Sequence, residues 1–131
     1  MLITIPFSKK QMRIAILVAS LACGWPTTEA LAHAHLVTAA PGVDTILAGA
    51  PTNISLEFDE AVEPRFSGVV VTGTDKVTAK TGPSELKAGH RNVLIAPITD
   101  TLKPGKYTVE WHALSADGHK VKGSYAFTIK P

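Results

Sequence analysis

The chain has 131 residues, of which 45% are hydrophobic, and its formal net charge at pH 7 is +2. This length allows one domain at most. The near balance of charge excludes a strongly basic face for nucleic acid, and the single cysteine excludes a disulfide within the chain. The function must therefore be sought in the remaining polar residues.

An export signal is predicted at residues 1–32. Three basic residues near the start precede an apolar run, residues 14–23, that is too short to cross a bilayer. The following "ALA" supplies the small residues that a signal peptidase reads. Cleavage after Ala32 would remove three basic residues and one acidic residue, which leaves ten of each in a near-neutral domain of residues 33–131. No direct membrane anchoring of this domain is expected.

Three alternatives concern this leading segment. Met12 would also open a compact signal and is a second candidate for the start of translation. Cys23 would be lipidated if "SLAC" were a lipoprotein cleavage site, although Ser20 is a poor residue at its position in such a site. Cleavage after Ala34 also satisfies the small-residue rule and would make His35 the first residue. The true N-terminus therefore decides which ligands are available.

From His33 onward the hydrophobic period is two, which is typical of β-strands. Turn signals such as "APGVD", "LKPGK" and "ADGH" separate the strands. Seven strands are predicted in chain order, at residues 35–39, 53–58, 67–73, 76–80, 92–97, 106–111 and 124–129. We therefore predict an all-β protein, a small antiparallel Greek-key β-sandwich or barrel of about seven strands with an Ig-like arrangement.

Two segments, at opposite ends of this domain, carry candidate metal ligands. Cleavage after Ala32 would give His33 a free amine beside its imidazole, and together these nitrogens can chelate one metal ion in the arrangement called a histidine brace. Asp117 and His119 are separated by Gly118, and in an extended segment their side chains would point the same way. Nitrogen and oxygen ligands in a tetragonal set favour Cu(II). The pattern thus predicts a copper site.

These residues and their neighbours also have plainer interpretations. Asp-Gly is a common turn pair, so "ADGH" could be a turn and nothing more. His90 has no partner within reach in the sequence and is interpreted as a surface histidine. Trp111 shares a strand face with Val109 and is expected in the core, although it could also lie against the copper site. His112 points the other way and is expected to be exposed, or at best to hydrogen-bond a ligand.

Three segments of the predicted domain match the pattern of one family. These are "HAHLVTAAP" at its start, "LEFDEAVEPRFSG" after a predicted strand, and "LKPGKYTVEWHALSADGHKVKGSYAFTI" near its end. On these motifs, residues 33–131 resemble the CopC family of periplasmic copper-resistance proteins, and within it a short type. The resemblance implies one Cu(II) ion per chain, held by His33 through its amine and ring, by Asp117 and by His119, with Glu60 nearby.

The same resemblance implies a role rather than a reaction. It points to a periplasmic carrier or buffer in copper homeostasis and resistance, not an enzyme, and to an inner-membrane CopD-type copper transporter as a possible partner. Some members of the family also bind Cu(I) in a methionine-rich loop, because thioethers select the cuprous ion. Here both methionines, Met1 and Met12, leave with the predicted signal, so that second site is not expected.

Three alternatives to the interpretation as a copper carrier are open. The first is a copper-dependent redox enzyme of the lytic monooxygenase kind, which also uses a histidine brace. The second is a sandwich that binds no metal. The third is a copper site formed by residues 33–35 alone, from the terminal amine, two deprotonated backbone amides and the His35 ring. This last site would leave Asp117 and His119 without a role in binding.

Overall fold

The computed structural model describes residues 34–131, and nine β-strands lie in this part of the chain. They are β1 (Leu36–Ala40), β2 (Ile46–Leu47), β3 (Asn53–Phe58), β4 (Gly68–Gly73), β5 (Thr78–Ala79), β6 (Glu85–Leu86), β7 (Val93–Pro97), β8 (Gly105–Leu114) and β9 (Lys120–Ile129). A short 3-10 helix, Pro64–Phe66, precedes β4. Within these residues no helix is long and apolar enough to cross a membrane. The predicted all-β class is confirmed.

The strands form two sheets that pack face to face as a sandwich. One sheet has the order β1-β3-β7-β6 and the other has the order β2-β9-β8-β4-β5. Neighbouring strands are antiparallel, except that β2 runs parallel to β9. The predicted antiparallel arrangement thus holds for every other pair, and this two-residue edge is the exception. The chain leaves β1 in the first sheet and crosses to the second, where it adds two residues beside β9 in the same direction.

Each of the seven predicted strands is present, and β3 has the predicted ends. The sequence did not predict β2 and β6, because a strand of two residues is too short to show alternation. In contrast, β8 and β9 are longer than predicted, with ten residues each. Their pairing continues to Leu114 and Lys120, so they form one long hairpin that ends at residues 115–119.

The core extends to the end of the sandwich at which this hairpin turns. Phe58, the last residue of β3, is 1% exposed. Its ring meets the ring of Trp111 in an edge-to-face contact with centroids 5.3 Å apart. Trp111 is half-buried, packs against the core and lies over Gly123, where an added Cβ would come within 2.5 Å of its ring. The prediction that Trp111 faces the core is confirmed.

Tyr125 brings a hydroxyl group into the hydrophobic core. Tyr125 is 8% exposed, and its hydroxyl has no hydrogen-bond partner among the described residues. Burial raises the pKa of Tyr125 to about 12, because the phenolate would lose its hydration. The folded protein therefore keeps this proton at a pH at which the unfolded chain has released it.

Replacing Tyr125 with phenylalanine should leave stability at neutral pH unchanged or raise it by about 1 kcal/mol, since an unsatisfied buried hydroxyl is removed. Between about pH 10 and 12 the folded wild type binds one more proton than the unfolded chain, so its stability should fall by about 1 kcal/mol per pH unit relative to Tyr125→Phe. Urea unfolding of both proteins across this range measures the difference.

Tyr107→Phe is the matched control, because the Tyr107 hydroxyl donates a hydrogen bond to the Lys103 carbonyl over 2.8 Å. This variant should lose about 0.5 kcal/mol at neutral pH. A loss of stability at neutral pH in Tyr125→Phe would contradict the assignment of its hydroxyl as unsatisfied.

Candidate metal centre

Asp117, Gly118 and His119 lie in the turn of the β8–β9 hairpin. The turn is closed by hydrogen bonds from the Ser115 N–H to the His119 carbonyl and from the Gly118 N–H to the Ser115 carbonyl, both over 2.9 Å. Gly118 has a φ of +91°, a conformation that favours glycine. The interpretation of "ADGH" as a turn is therefore right, and the extended segment assumed for these residues is wrong. Strand pairing up to Lys120 leaves too few residues for an extended path.

The turn nevertheless brings the two predicted ligands together. His119 Nδ1 lies 2.9 Å from Asp117 Oδ2, and the His119 backbone N–H donates to Asp117 Oδ1 over 3.1 Å. The two side chains are 55% and 31% exposed, respectively, so solvent and ions can reach them. An imidazole and a carboxylate thus form one open donor pair at the tip of the hairpin.

Ser115 hydrogen-bonds the carboxylate of this pair and was not identified from the sequence. It is 1% exposed, and its hydroxyl donates a short hydrogen bond to Asp117 Oδ1. This bond, followed by the bond from the His119 ring, lowers the pKa of Asp117 from 3.8 to about 2. Asp117 is therefore ionised at any pH at which the imidazole is a neutral ligand. Only the spacing of Ser115 two residues before Asp117 could have suggested this contact.

The loop after β3 runs alongside the base of the hairpin. The Ala116 N–H donates to the Ala61 carbonyl over 2.9 Å, and Val62 forms a β-bridge with Ser115. On its other side, the Asp59 N–H donates to the His35 carbonyl over 3.0 Å. Backbone contacts on both sides thus fix the loop between the start of the described chain and the hairpin.

Glu60 lies in this loop and is half-buried. Its chain neighbours are the two residues that carry the backbone contacts, one to His35 and one to Ala116. The backbone of Glu60 therefore lies between a contact to the His35 segment and a contact to the hairpin. Its side chain does not form a group of three candidate ligands with Asp117 and His119.

The described chain begins at the same end of the sandwich. Ala34 is 2% exposed and belongs to the core, and Leu36 pairs with Phe58. His33, the first predicted ligand, lies outside the described residues, as does the predicted signal segment. Within residues 34–131 no three histidine, cysteine or carboxylate side chains come close enough to form a metal site. Asp117 and His119 supply two donors.

A second histidine–carboxylate pair lies beside the loop. Asp59 Oδ1 accepts a hydrogen bond from the His35 backbone N–H over 2.6 Å, and Asp59 Oδ2 lies 3.0 Å from His35 Nδ1. The backbone bond is the main cause of the lowered pKa of Asp59. This pair could not be recognised from the sequence, because the two residues are 24 positions apart and meet only through the pairing of β1 with β3.

The remaining histidines lie on the surface. His90 is exposed in a turn, where its backbone N–H donates to the Lys87 carbonyl over 2.9 Å. His112 is exposed on β8 opposite Gly68, and its ring covers that glycine, since an added Cβ would lie 3.1 Å from His112 Cε1. The prediction of surface positions for His90 and His112 is confirmed.

Ser115→Ala removes the hydrogen bond that lowers the pKa of Asp117 most, so this pKa should rise from about 2 towards 3.8. Because the folded pKa lies below the unfolded value, the bond stabilises the protein above about pH 4, and its contribution is lost as the pH falls towards 2. The carboxyl carbon shift of Asp117 in metal-free protein, followed by NMR, measures this change. Asp59 in the same spectra is the control and should titrate as in wild type. An unchanged Asp117 pKa would show that Ser115 does not set it.

Comparison with known proteins identifies the family. The CopC domain family matches residues 36–130. Protein YobA of Escherichia coli (strain K12) is 44% identical over 117 residues, a match that covers 89% of this chain and 91% of that protein. The copper transport protein CutJ of Bacillus subtilis (strain 168) is 34% identical over 98 residues, covering 75% of this chain but 18% of that protein.

A solved structure shows the same fold. PcoC, described as a methionine rich copper resistance protein from Escherichia coli, is 29% identical and superposes with a TM-score of 0.66, covering 76% of this chain and 100% of that chain. The family match includes the Asp117–His119 hairpin and the loop that carries Glu60. The chain therefore belongs to the CopC family.

Proposed function

We propose that the protein is a periplasmic Cu(II) carrier or buffer in copper homeostasis and resistance. One copper ion per chain is held by the amine and ring of His33, by Asp117 and by His119, with Glu60 beside the ion. The observation that carries this proposal is the pair formed by Asp117 and His119 in the hairpin turn. The pair lies at the end of the sandwich at which the described chain begins.

The donors fit the ion. Cu(II) binds nitrogen and oxygen ligands in a tetragonal set, and the hairpin offers an imidazole and an ionised carboxylate. Asp117 neutralises one positive charge of the ion, while Ser115 holds the carboxylate in place through its hydroxyl. His33 would complete the set with two further nitrogens, and it precedes Ala34, which the core fixes at this end.

Relatives support a role in handling copper over one in catalysis. The names of PcoC and CutJ refer to copper resistance and copper transport, and neither name refers to an enzyme. A monooxygenase acting on polysaccharide needs a flat surface for sugar binding, which aromatic side chains usually supply. In this domain five of six aromatic side chains are buried or half-buried, and Phe66 is the exposed one, at 64%.

The transport partner is proposed on a single comparison. The domain similar to this chain makes up 18% of CutJ, which is named a copper transport protein. If such a domain serves a transporter within one protein, the same domain as a separate protein would carry copper to a transporter of that kind. A CopD-type transporter of the inner membrane is therefore the proposed recipient of the copper.

The ligand set predicts a strong dependence on the N-terminus. Adding one residue before His33 removes the amine from the chelate, and His119→Ala removes the hairpin imidazole. Each change should lower Cu(II) affinity by about 100-fold or more. Loss of a residue that only hydrogen-bonds a metal ligand already lowers metal affinity about 10- to 100-fold. Competition titration of protein whose N-terminal residue has been verified by mass spectrometry measures the affinity.

His90→Ala is the matched control, since His90 is an exposed histidine on the same domain and should leave affinity unchanged. Unchanged affinity in both the extended protein and His119→Ala would refute the proposed site.

Copper affinity should also depend on pH in a characteristic range. With a pKa of about 2, Asp117 is already ionised and releases no proton on binding above about pH 4. Imidazole and amine ligands bind Cu(II) only without their protons, so affinity should weaken as the pH falls. Calorimetric titrations in several buffers measure both affinity and proton release. Affinity that is constant between about pH 5 and 8 would exclude histidine and amine ligands.

A further inference from the structure

The Asp59–His35 pair involves the two atoms of His35 that a rival copper site would need. In that site the terminal amine, two deprotonated backbone amides and the His35 ring would surround Cu(II) within residues 33–35. The backbone nitrogen and the Nδ1 atom of His35 would both be ligands. In the structure each of these atoms contacts a different oxygen of Asp59, over 2.6 Å and 3.0 Å.

We propose that Asp59 is a positioning residue that selects the copper site of this protein. By holding the backbone nitrogen and Nδ1 of His35, it keeps residues 33–35 from closing around Cu(II), and the ion is left to His33, Asp117 and His119. This inference rests on the proposed function, because it assumes the same mature N-terminus and the same hairpin ligands.

Binding of copper in the rival site would change the charge of the His35 backbone amide. Copper can bind a backbone amide nitrogen only after its proton has left, which gives the nitrogen a negative charge. The His35 N–H donates to a carboxylate, and charge-assisted bonds of this kind favour the protonated donor. Once the proton is lost, the same two atoms repel each other. Asp59 therefore opposes the deprotonation that the rival site requires.

The backbone contacts of His35 also oppose the rival site. The Asp59 N–H donates to the His35 carbonyl over 3.0 Å, and the next residues, Leu36 and Phe58, are paired in the β1–β3 ladder. His35 is thus held directly before β1 by a backbone bond to the residue that follows β3. A closed loop of residues 33–35 around one ion would have to give up the two contacts of His35 to the Asp59 carboxylate.

The hairpin pair does not carry the same restriction. Asp117 also contacts the backbone nitrogen and Nδ1 of its histidine, over 3.1 Å and 2.9 Å. Copper binding at the hairpin, however, uses a carboxylate and an imidazole and leaves the backbone N–H of His119 protonated. Two pairs with similar contacts therefore differ in what copper must displace.

Asp59→Ala in protein that begins at His33 tests the inference, with Glu57→Gln, an exposed carboxylate on β3, as the matched control. Without Asp59 the Cu(II) affinity of the rival site should rise about tenfold relative to that of the hairpin site. The d–d absorption band should shift to higher energy, because amide nitrogens are stronger-field ligands than a carboxylate. Proton release on binding should rise by up to about two, one for each deprotonated amide. Glu57→Gln should match wild type in both measurements.

Combination with ligand variants separates this inference from the proposed function. In the wild-type background, His119→Ala should weaken copper binding and His35→Ala should not. In the Asp59→Ala background, His35→Ala should weaken copper binding more and His119→Ala less than in wild type. If Asp59→Ala keeps the wild-type spectrum, proton release and dependence on His119, the inference is wrong and the proposed function stands. If His119→Ala has no effect even in wild type, the proposed function itself is wrong.

Folding of each variant is checked by thermal unfolding of the metal-free protein. If Asp59→Ala does not fold, Asp59→Asn takes its place, since an amide can still accept from the His35 N–H but carries no charge. It should shift the band and the proton release in the same direction by a smaller amount. The absence of any shift in a folded Asp59→Asn protein would then overturn the inference.

Discussion

The candidate site depends on the backbone pairing of one loop with the segments on its two sides. After β3 the chain donates to His35 from Asp59, and it accepts from Ala116 at Ala61. These bonds hold the start of the described chain and the β8–β9 hairpin at the same end of the sandwich, although the two segments are about 80 positions apart in the sequence. Without this loop the hairpin would carry an isolated histidine and carboxylate.

The core makes this end of the molecule rigid. Phe58, directly before the loop, is 1% exposed and meets Trp111 of β8 edge to face. Close packing of large side chains resists displacement of the backbone that carries them. The loop and the hairpin are thus attached to strands that cannot shift independently, which is what a site assembled from separate segments requires.

Most of the fold could be predicted from the sequence, because alternation and turn residues are local signals. The seven longer strands follow from these signals, whereas β2 and β6 are too short to produce them. The parallel pairing of β2 with β9 is a long-range choice that no local pattern encodes. The Asp-Gly pair at Asp117 and Gly118 correctly predicted a turn. The assumption that the two ligands lie in an extended segment conflicted with this prediction.

The candidate site was predictable in its ligand types but not in its contacts. Asp117 and His119 stand out by spacing, and the structure joins them over 2.9 Å. Ser115, which lowers the pKa of Asp117, has a hydroxyl of ordinary appearance in the sequence, and its role depends on the closed turn. The Asp59–His35 contact depends on strand register, and register is fixed by the sheet as a whole.

The proposed copper site assigns opposite roles to the two histidine–carboxylate pairs. At the hairpin, the carboxylate and the imidazole lie within one exposed turn, so a metal ion can engage both side chains while the backbone bonds remain. At His35, the carboxylate comes from a different strand end and its shortest contact is to the backbone, at 2.6 Å. In the proposed site the hairpin pair binds the ion, and the Asp59–His35 pair keeps the backbone of His35 away from it. The difference lies in which atoms the metal would need, since each carboxylate contacts both the backbone nitrogen and Nδ1 of its histidine.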